Sequence, residues 1–389
     1  MPFDISKLAR AQLLTLEPYR CARDDFKEGI LLDANENTHG PSFQGMTQQE
    51  KELSLNRYPD PHQHELKKQI VEFRNAEREG GDLGIENLCL GVGSDESIDA
   101  LMRCFITPGK EKMVLCPPTY GMYFICGVVN DVTIVSVPLD LETFDIIPEN
   151  ILDAIRKDPL IKLVYITSPG NPTAKKVEEA KLFQLLKGIE EENLNVLVVL
   201  DEAYIDFAPV GSSLCTLVNE HPNLVVLQTL SKAFALAGIR LGITYSNKEI
   251  SLLLNSIKYP YNISNLTSDV ATRATTTGAL KETREKINRI IEQRSIVLEK
   301  LLGLKYVGRN RGGLDANFIL IEILNKDLQP DNAVANRLYL ALAKDNKVVV
   351  RFRGKELGCN GCLRISIGTA EENSILVSTF AKVLEEINQ

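Results

Sequence analysis

Val196-Leu-Val-Val-Leu200-Asp201-Glu-Ala-Tyr204 is the stretch that indicates the fold, because five consecutive apolar residues run directly into an acidic and aromatic cluster. An unbroken apolar run of this length is typical of a strand that is buried on both faces of a parallel sheet. Similar runs recur along the chain, and they predict further strands at 88–92, 113–116, 132–137, 163–167, 224–229 and 239–245.

The segments between these runs have the apolar spacing of helices. In residues 94–106, for example, Ile98, Leu101, Met102 and Phe105 fall on one helical face. The alternation of buried strands with amphipathic helices predicts an α/β fold, in which a mostly parallel sheet carries helices on both faces.

The pattern changes beyond Pro260, where residues 276–303 predict one long charged helix. The remainder predicts a smaller α+β unit, with strands at 318–323, 347–352 and 363–367 and helices at 333–344 and 371–387. The first forty residues are polar and rich in turn-forming residues, which favours an extended arm. We therefore expect an arm over 1–40 that packs with the small domain or a partner subunit, a large domain over 41–290 and a small domain over 291–389.

Composition argues against several kinds of partner. The chain of 389 residues carries 52 acidic and 44 basic residues, a net charge of -8, so we expect no nucleic-acid or anionic-membrane surface. Its beginning lacks the pattern of a secretory signal and no apolar run approaches the length of a membrane span, so a cytoplasmic protein is expected. The eight scattered cysteines predict reduced thiols, and Cys359 and Cys362 lack the further ligands of a metal site.

Polar clusters follow three successive predicted strands. They are Ser168-Pro-Gly-Asn171-Pro-Thr173, Asp201-Glu-Ala-Tyr204 and Thr229-Leu-Ser231-Lys232. Because ligands of open α/β sheets bind outside the carboxyl ends of the strands, these side chains are expected to meet in one crevice.

The residue types in this crevice suit a cofactor that stores electrons in a pyridinium ring. Such a cofactor needs a lysine for a covalent bond and an acid beside the ring nitrogen, and Lys232 and Asp201 match these roles. Asn171 and Tyr204 are candidates for hydrogen bonds to the ring hydroxyl. Each residue alone also has an ordinary explanation, as a solvated lysine, a helix cap or a turn, but the three strand ends together favour the functional one.

A phosphate group would find several hydrogen-bond donors nearby. Thr229, Ser231 and Arg240 lie close to Lys232 in sequence, and Arg240 is the strongest anion ligand among them. The start of the 94–106 helix is a further candidate, and its first residues are Ser94 and Asp95. Plain capping of that helix is the competing explanation.

An aromatic residue and two arginines complete the candidate site. Tyr120 follows the strand at 113–116 and could lay its ring against the pyridine, although a core tyrosine fits equally well. Arg351 and Arg364 lie in or next to strands of the small domain, where an arginine fork could hold a carboxylate or phosphate group of the substrate. Structural salt bridges are the alternative for both arginines.

These residues resemble the fold-type I aminotransferases, and specifically the histidinol-phosphate aminotransferase family of class II. The resemblance spans nearly the whole chain, and it rests on Leu32-Asp-Ala-Asn35-Glu-Asn37, Arg57-Tyr58-Pro59, Gly93-Ser-Asp-Glu96, Pro118-Thr-Tyr120-Gly-Met-Tyr123, Asn171-Pro-Thr173, Asp201-Glu-Ala-Tyr204, Thr229-Leu-Ser231-Lys232-Ala-Phe-Ala-Leu-Ala-Gly238-Ile-Arg240 and Leu363-Arg364-Ile. One departure is the loop around Asn171, where Ser168 and Ala174 replace residues common in the family.

The resemblance implies a pyridoxal 5'-phosphate enzyme of histidine biosynthesis. It would transfer an amino group from L-histidinol phosphate to 2-oxoglutarate, and it would be a homodimer in which Tyr58 reaches the cofactor phosphate of the partner subunit. Arg364 would bind the substrate carboxylate or phosphate with help from Arg351 and Tyr19, and Asn35 would also lie at the substrate. The nearby Arg353 is an alternative to Arg351 for the substrate phosphate.

Other functions remain open on sequence alone. An aromatic amino-acid aminotransferase or a decarboxylase of a phosphorylated amino acid would share the cofactor residues and differ in the substrate. A catalytically silent binding or regulatory module could keep the same fold. A nicotinamide-binding protein is disfavoured, because the stretch Gly91-Val-Gly93-Ser-Asp-Glu96 breaks the glycine pattern that such proteins need.

Overall fold

The computed structural model of the protein describes residues 3–25, 33–41, 43 and 45–388. Its larger sheet has seven strands, and all seven coincide with apolar runs of the sequence. They are β1 (Leu88–Val92), β2 (Lys112–Leu115), β3 (Thr133–Ser136), β4 (Ile161–Thr167), β5 (Leu197–Asp201), β6 (Leu224–Thr229) and β7 (Leu241–Tyr245).

The strands of this sheet follow the order β1-β7-β6-β5-β4-β2-β3. Strand β7 is antiparallel to both of its neighbours, and every other pairing in the sheet is parallel. The predicted α/β fold with a mostly parallel sheet is therefore confirmed. In this arrangement β4, β5 and β6 lie side by side, with their carboxyl ends at one edge of the sheet.

Helices cover both faces of the large sheet. In chain order they are α1 (Gln48–Glu52), α2 (His64–Glu77), α3 (Gly93–Phe105), α4 (Met122–Val129), α5 (Pro148–Lys157), α6 (Glu179–Glu191), α7 (Lys248–Ile257) and α8 (Asn265–Ala274). The apolar faces of α2, α5 and α6 pack with Val198 and Leu200 on one side. Those of α3 and α7 pack with Leu197 and Val199 on the other, as strand alternation requires.

A smaller antiparallel sheet lies in the C-terminal part of the chain. Its strands are ordered β10-β11-β9-β8, and its elements are α9 (Thr277–Leu302), β8 (Val307–Asn310), β9 (Phe318–Ile323), α10 (Asn332–Lys344), β10 (Arg351–Phe352), β11 (Cys362–Ser366) and α11 (Ala370–Asn388). Helices α9, α10 and α11 contribute to the apolar core beside this sheet. The α+β character agrees with the sequence prediction, whereas the division into domains at 40 and 290 stays a prediction.

Two details of the small sheet differ from expectation. Strand β8 was not predicted, because its four residues have a single buried apolar side chain, that of Val307. The strand expected over 347–352 contains only Arg351–Phe352. The chain turns at Lys347, whose φ is 57°, so the apolar run that follows it approaches the sheet as irregular backbone.

The N-terminal segment has short 3-10 helices at Ile5–Lys7, Ala11–Thr15 and Ala22–Asp24. Leu8 and Ala9 are buried in the apolar core that includes α3 and α7. The start of the arm therefore packs against the helices that cover this face of the large sheet. Part of the expected arm, including Leu32 of the family pattern, lies outside the described residues. Within the described residues, none of the helices combines the length and apolar character needed to cross a membrane.

Candidate active site

A cavity of about 450 Å³ lies at the carboxyl ends of β4, β5 and β6. Most of the residues singled out in the sequence line it, and these are Ser94, Asp95, Tyr120, Asn171, Asp201, Tyr204, Thr229, Ser231, Lys232, Arg240, Arg351 and Arg364. The large sheet supplies the loops on one side, and strands β10 and β11 of the small sheet supply arginines on the other. The cavity therefore lies between the two sheets.

Asp201 lies at the inner end of the cavity, where strand β5 ends. Its side chain is 3% exposed, and it accepts hydrogen bonds from the Tyr123 hydroxyl (2.6 Å) and the Ala203 N–H (3.0 Å). Burial raises the pKa of Asp201, while these two donors favour its ionised form. A buried carboxylate of this kind is suited to hold a cationic N–H group of a bound molecule.

Lys232 follows the end of β6 and faces the same space. Although the residue as a whole is exposed, partial burial of its amine and the positive charge of Arg364 lower the pKa of Lys232. Its Nζ lies 5.4 Å from the centre of the Tyr204 ring. A lowered pKa leaves a larger fraction of the amine neutral, which is the form that attacks carbonyl carbons.

Backbone and side-chain donors form one end of the cavity around the start of α3. Arg240 lies in the left-handed region (φ 54°), and its carbonyl oxygen accepts the Gly93 N–H at 3.1 Å. Its guanidinium lies 3.6 Å from the Asp95 carboxylate and donates to the Ala237 carbonyl oxygen at 3.2 Å, and the ion pair is weak because both side chains are exposed. The Ser231 and Thr229 hydroxyl oxygens are 2.9 Å apart beside them. The first turn of α3, this arginine and the hydroxyls together form a cradle for an anion.

Gly242 allows strand β7 to lie close to the backbone of the cradle. A Cβ atom at Gly242 would overlap the carbonyl carbon of Gly93 and lie 2.5 Å from the Ser94 nitrogen. Both contacts are with backbone, which cannot rotate away. Strand β7 can therefore approach the start of α3 only because position 242 has no side chain.

The opposite end of the cavity is formed by Arg351, Arg353 and Arg364. Arg364 donates to Asn171 Oδ1 at 2.5 Å and stacks over the Phe318 ring, with 5.2 Å between its Cζ and the ring centre. Burial and the positive charge of Arg353 lower the pKa of Arg364. Within the described part of the chain, the Nε atoms of Arg353 and Arg364 are buried without a hydrogen-bond partner. Clustered positive charge with unused donors is suited to bind an anion.

The structure adds Tyr123 to the site, and it also brings in Arg353, which the resemblance implies only as an alternative to Arg351. Tyr123 donates to Asp201, and its hydroxyl lies 2.9 Å from that of Thr167, the last residue of β4. Arg353 lines the cavity as well and is held at 2.7 Å by Glu356. Tyr123 belongs to the family-like stretch that begins at Pro118, so the sequence did contain a signal for it.

Three of the expected site residues do not line this cavity. Tyr19 and Tyr58 line a separate cavity of about 530 Å³, together with Tyr261. The rings of Tyr58 and Tyr261 are stacked with centres 4.5 Å apart, and Tyr58 is 52% exposed. Asn35 is exposed, with φ of 55°. In the isolated chain, then, the two tyrosines form an aromatic surface of their own.

Comparison with known proteins identifies the family. The family described as aminotransferase class I and II matches residues 27–380. A histidinol-phosphate aminotransferase of Candida maltosa is 59% identical and one of Saccharomyces cerevisiae is 48% identical, and the alignments cover 100% of this chain and at least 99% of theirs. The chain belongs to the histidinol-phosphate aminotransferases.

A solved structure has the same fold as this aminotransferase. The histidinol-phosphate aminotransferase of Sinorhizobium meliloti, crystallised in complex with pyridoxal-5'-phosphate, superimposes with a TM-score of 0.76. The comparison covers 91% of this chain and 90% of that one at 21% sequence identity, so it shows the shared fold alone. The family expected from the sequence is confirmed.

The close approach at Gly242 gives a first prediction for this aminotransferase. We expect Gly242→Ala to lower the free energy of unfolding by about 1–3 kcal/mol, because the new methyl group overpacks against backbone of the first turn of α3. Urea denaturation measures this change. Gly278→Ala in α9 is the matched control, since a Cβ there meets nothing within 4 Å. Equal stability of the Gly242→Ala variant and the wild type would contradict the close approach.

Proposed function

We propose that this aminotransferase binds pyridoxal 5'-phosphate and uses it to transfer the amino group of L-histidinol phosphate to 2-oxoglutarate, giving imidazole acetol phosphate and L-glutamate in histidine biosynthesis. The observation that carries the proposal is one cavity in which Lys232 and Asp201 lie between an anion cradle and an arginine cluster. Full-length relatives named for this reaction support the choice of substrate.

The residues of the cavity fit the cofactor at three points. The buried Asp201 can pair with a protonated ring nitrogen, Lys232 can form the covalent bond with the aldehyde carbon, and the cradle around Arg240 can bind the phosphate. We assign Tyr120 to the face of the ring, and Asn171 and Tyr204 to its hydroxyl, since all three line the cavity. The cavity of about 450 Å³ has room for a cofactor of this size together with part of a substrate.

Pyridoxal phosphate, when bound, supplies an electron sink for the negative charge that develops at the substrate's α-carbon. Asp201 holds the proton at the ring nitrogen, because its buried carboxylate has little water to compete for that contact. The neutral Nζ of Lys232 takes the proton from the α-carbon. The lowered pKa of Lys232 favours this task near neutral pH.

The arginine cluster gives the site its affinity for two different anions. Arg364 is fixed by Asn171 and Phe318, so its remaining donors face the cavity in a set direction. The α-carboxylate of glutamate and the phosphate of histidinol phosphate both accept paired hydrogen bonds from a guanidinium group. We assign Arg364 to both anions in turn, and Arg351 to the phosphate.

We also propose a cytoplasmic homodimer with shared active sites. Tyr58 and Tyr19 lie outside the cavity of their own chain, and Tyr58 is half exposed. A second subunit could therefore receive the Tyr58 hydroxyl at its anion cradle and Tyr19 at its substrate phosphate. Asn35 is proposed as a further substrate contact.

Covalent attachment of the cofactor tests the role of Lys232. Borohydride reduction of the wild-type holoenzyme should add the mass of the reduced cofactor to the peptide that contains residue 232. We expect Lys232→Ala to lose this increment completely, because no other amine replaces Nζ. Lys187→Ala, which removes an exposed lysine of α6, should keep it. An unchanged increment in the Lys232→Ala protein would refute the assignment.

The choice of substrate is tested by measuring glutamate formed from 2-oxoglutarate with different amino donors. We expect rapid formation with L-histidinol phosphate and at least roughly tenfold less with L-phenylalanine, since the arginine cluster is used fully only by a phosphorylated donor. Release of carbon dioxide from O-phospho-L-threonine is measured in parallel. Preference for phenylalanine would favour an aromatic aminotransferase, and carbon dioxide release would favour a decarboxylase.

Sharing of the sites is tested with a heterodimer of one Lys232→Ala chain and one Tyr58→Phe chain, isolated by two affinity tags. If Tyr58 acts on the partner's site, one site of the heterodimer keeps both residues and binds the cofactor with wild-type affinity. The Tyr58→Phe homodimer should bind roughly tenfold more weakly, the loss typical of one hydrogen bond to a charged group. A heterodimer as weak as that homodimer would show that each chain uses its own Tyr58.

A further inference from the structure

A chain of buried polar side chains lies on the face of the large sheet opposite Asp201. Glu202 is 2% exposed, and its carboxylate accepts hydrogen bonds from the Ser213 hydroxyl (2.6 Å), the Gln228 amide (2.8 Å) and the Leu214 N–H (2.8 Å). Burial raises the pKa of Glu202 to about 7, against the effect of these donors. None of these side chains lines the active-site cavity, so the chemistry proposed above does not use them.

The donors and acceptors of this buried network can be assigned unambiguously. Arg74 Nε donates to Gln228 Oε1 at 2.8 Å, so the Gln228 amide nitrogen must point to Glu202 and to Ser213, 2.9 Å away. Arg74 itself is held by Asp206 at 2.8 Å and by Glu77 at 2.7 Å. Buried networks in which each donor and acceptor is used hold their members in a single arrangement.

This network connects the ends of β5 and β6, the two strands that lead into Asp201 and Thr229. Glu202 directly follows Asp201 at the end of β5, and Gln228 directly precedes Thr229 at the end of β6. Because side chains alternate along a strand, Asp201 and Thr229 face the cavity while Gln228 faces the other side of the sheet. The Glu202–Gln228 hydrogen bond therefore crosslinks the strand ends one residue away from the proposed cofactor contacts.

Backbone hydrogen bonds continue this crosslink into the site. The Asp201 carbonyl oxygen accepts the Ser168 N–H at 2.8 Å, and the Glu202 N–H donates to the Leu227 carbonyl oxygen at 2.8 Å. Asp201 is thus tied to β4 on one side and to β6 on the other. The backbone that carries the Asp201 side chain is therefore coupled to the backbone of Glu202.

We propose that Glu202 and Gln228 are positioning residues for the aminotransferase reaction, and that their buried hydrogen bond sets the distance between Asp201 and the anion cradle across strands β5 and β6. The proposal rests on the proposed function, since that function assigns the ring nitrogen to Asp201 and the phosphate to the cradle. A cofactor bound at both points would be held in register by this crosslink.

Exchanging the two side chains provides a sharp test. In Glu202→Gln, one of the two acceptor oxygens becomes a donor nitrogen, so either the Gln228 amide nitrogen or the Leu214 N–H faces a donor instead of an acceptor. Gln228→Glu instead places two carboxylates in contact. The double variant Glu202→Gln/Gln228→Glu restores the bond in the reverse direction, and the new carboxylate at position 228 then also accepts from Arg74. Both the volume and the net charge of the wild-type pair are kept.

The readout is the pH midpoint of the visible absorbance of the bound cofactor, with cofactor affinity and thermal unfolding measured on the same samples. In each single variant we expect the midpoint to rise by roughly 0.5–1 pH unit, because a ring nitrogen less firmly held by Asp201 withdraws less charge. Cofactor affinity should fall at least threefold. The double variant should recover both values.

The outcomes separate this proposal from the proposed function. Single variants that unfold at lower temperature but keep the wild-type midpoint and affinity would reduce the network to a structural role and overturn the proposal. A double variant that stays as altered as the single variants would also overturn it. Failure of the wild-type protein to take up pyridoxal phosphate covalently would instead refute the proposed function.

Discussion

The parallel alignment of β4, β5 and β6 is the constraint on which the site depends. The three strands are paired in register, with Thr167 beside Asp201 and Asp201 beside Leu227, so their carboxyl ends reach the same edge of the sheet. Residues far apart in sequence, such as Asn171, Asp201 and Lys232, are thereby brought to one cavity. Both faces of these strands are packed in apolar cores, so a slip by one residue would move each side chain into the opposite core and would turn Asp201 away from the cavity.

The site that results concentrates positive charge in one cavity. Three arginines lie together near a partly buried lysine, and burial together with neighbouring positive charge lowers the pKa of Arg364 and of Lys232. Folding has to supply the free energy for this crowding, and the buried cores on both sides of the sheet are its source. An anionic ligand would relieve the repulsion, so the arrangement that costs stability is the one that favours binding.

Much of the fold and of the site could be predicted because the signals are local. Each strand of the large sheet is a short apolar run, and the polar residues that follow such runs needed only the sheet's direction to be placed together. Strand β8 and the true start of β10 depend on contacts with distant residues, so their own sequences do not reveal them. Likewise, the placement of Tyr58 outside the cavity follows from its stacking on Tyr261, about two hundred residues away in the chain.

The polar residues on the two faces of these strand ends also differ in how readily their roles can be predicted from sequence. Asp201 and Lys232 lie beside other residues typical of an active site, so the sequence indicates their roles. The roles of Glu202 and Gln228 depend on a hydrogen bond from Arg74, whose helix lies far earlier in the chain. A buried carboxylate needs donors to offset its loss of water, and it obtains them here from three separate residues. Apolar side chains would fill this space with less risk to stability. The hydrogen bond between Glu202 and Gln228 adds a fixed spacing between β5 and β6. This spacing is fixed at the strand ends, where a small shift would move a proposed cofactor contact.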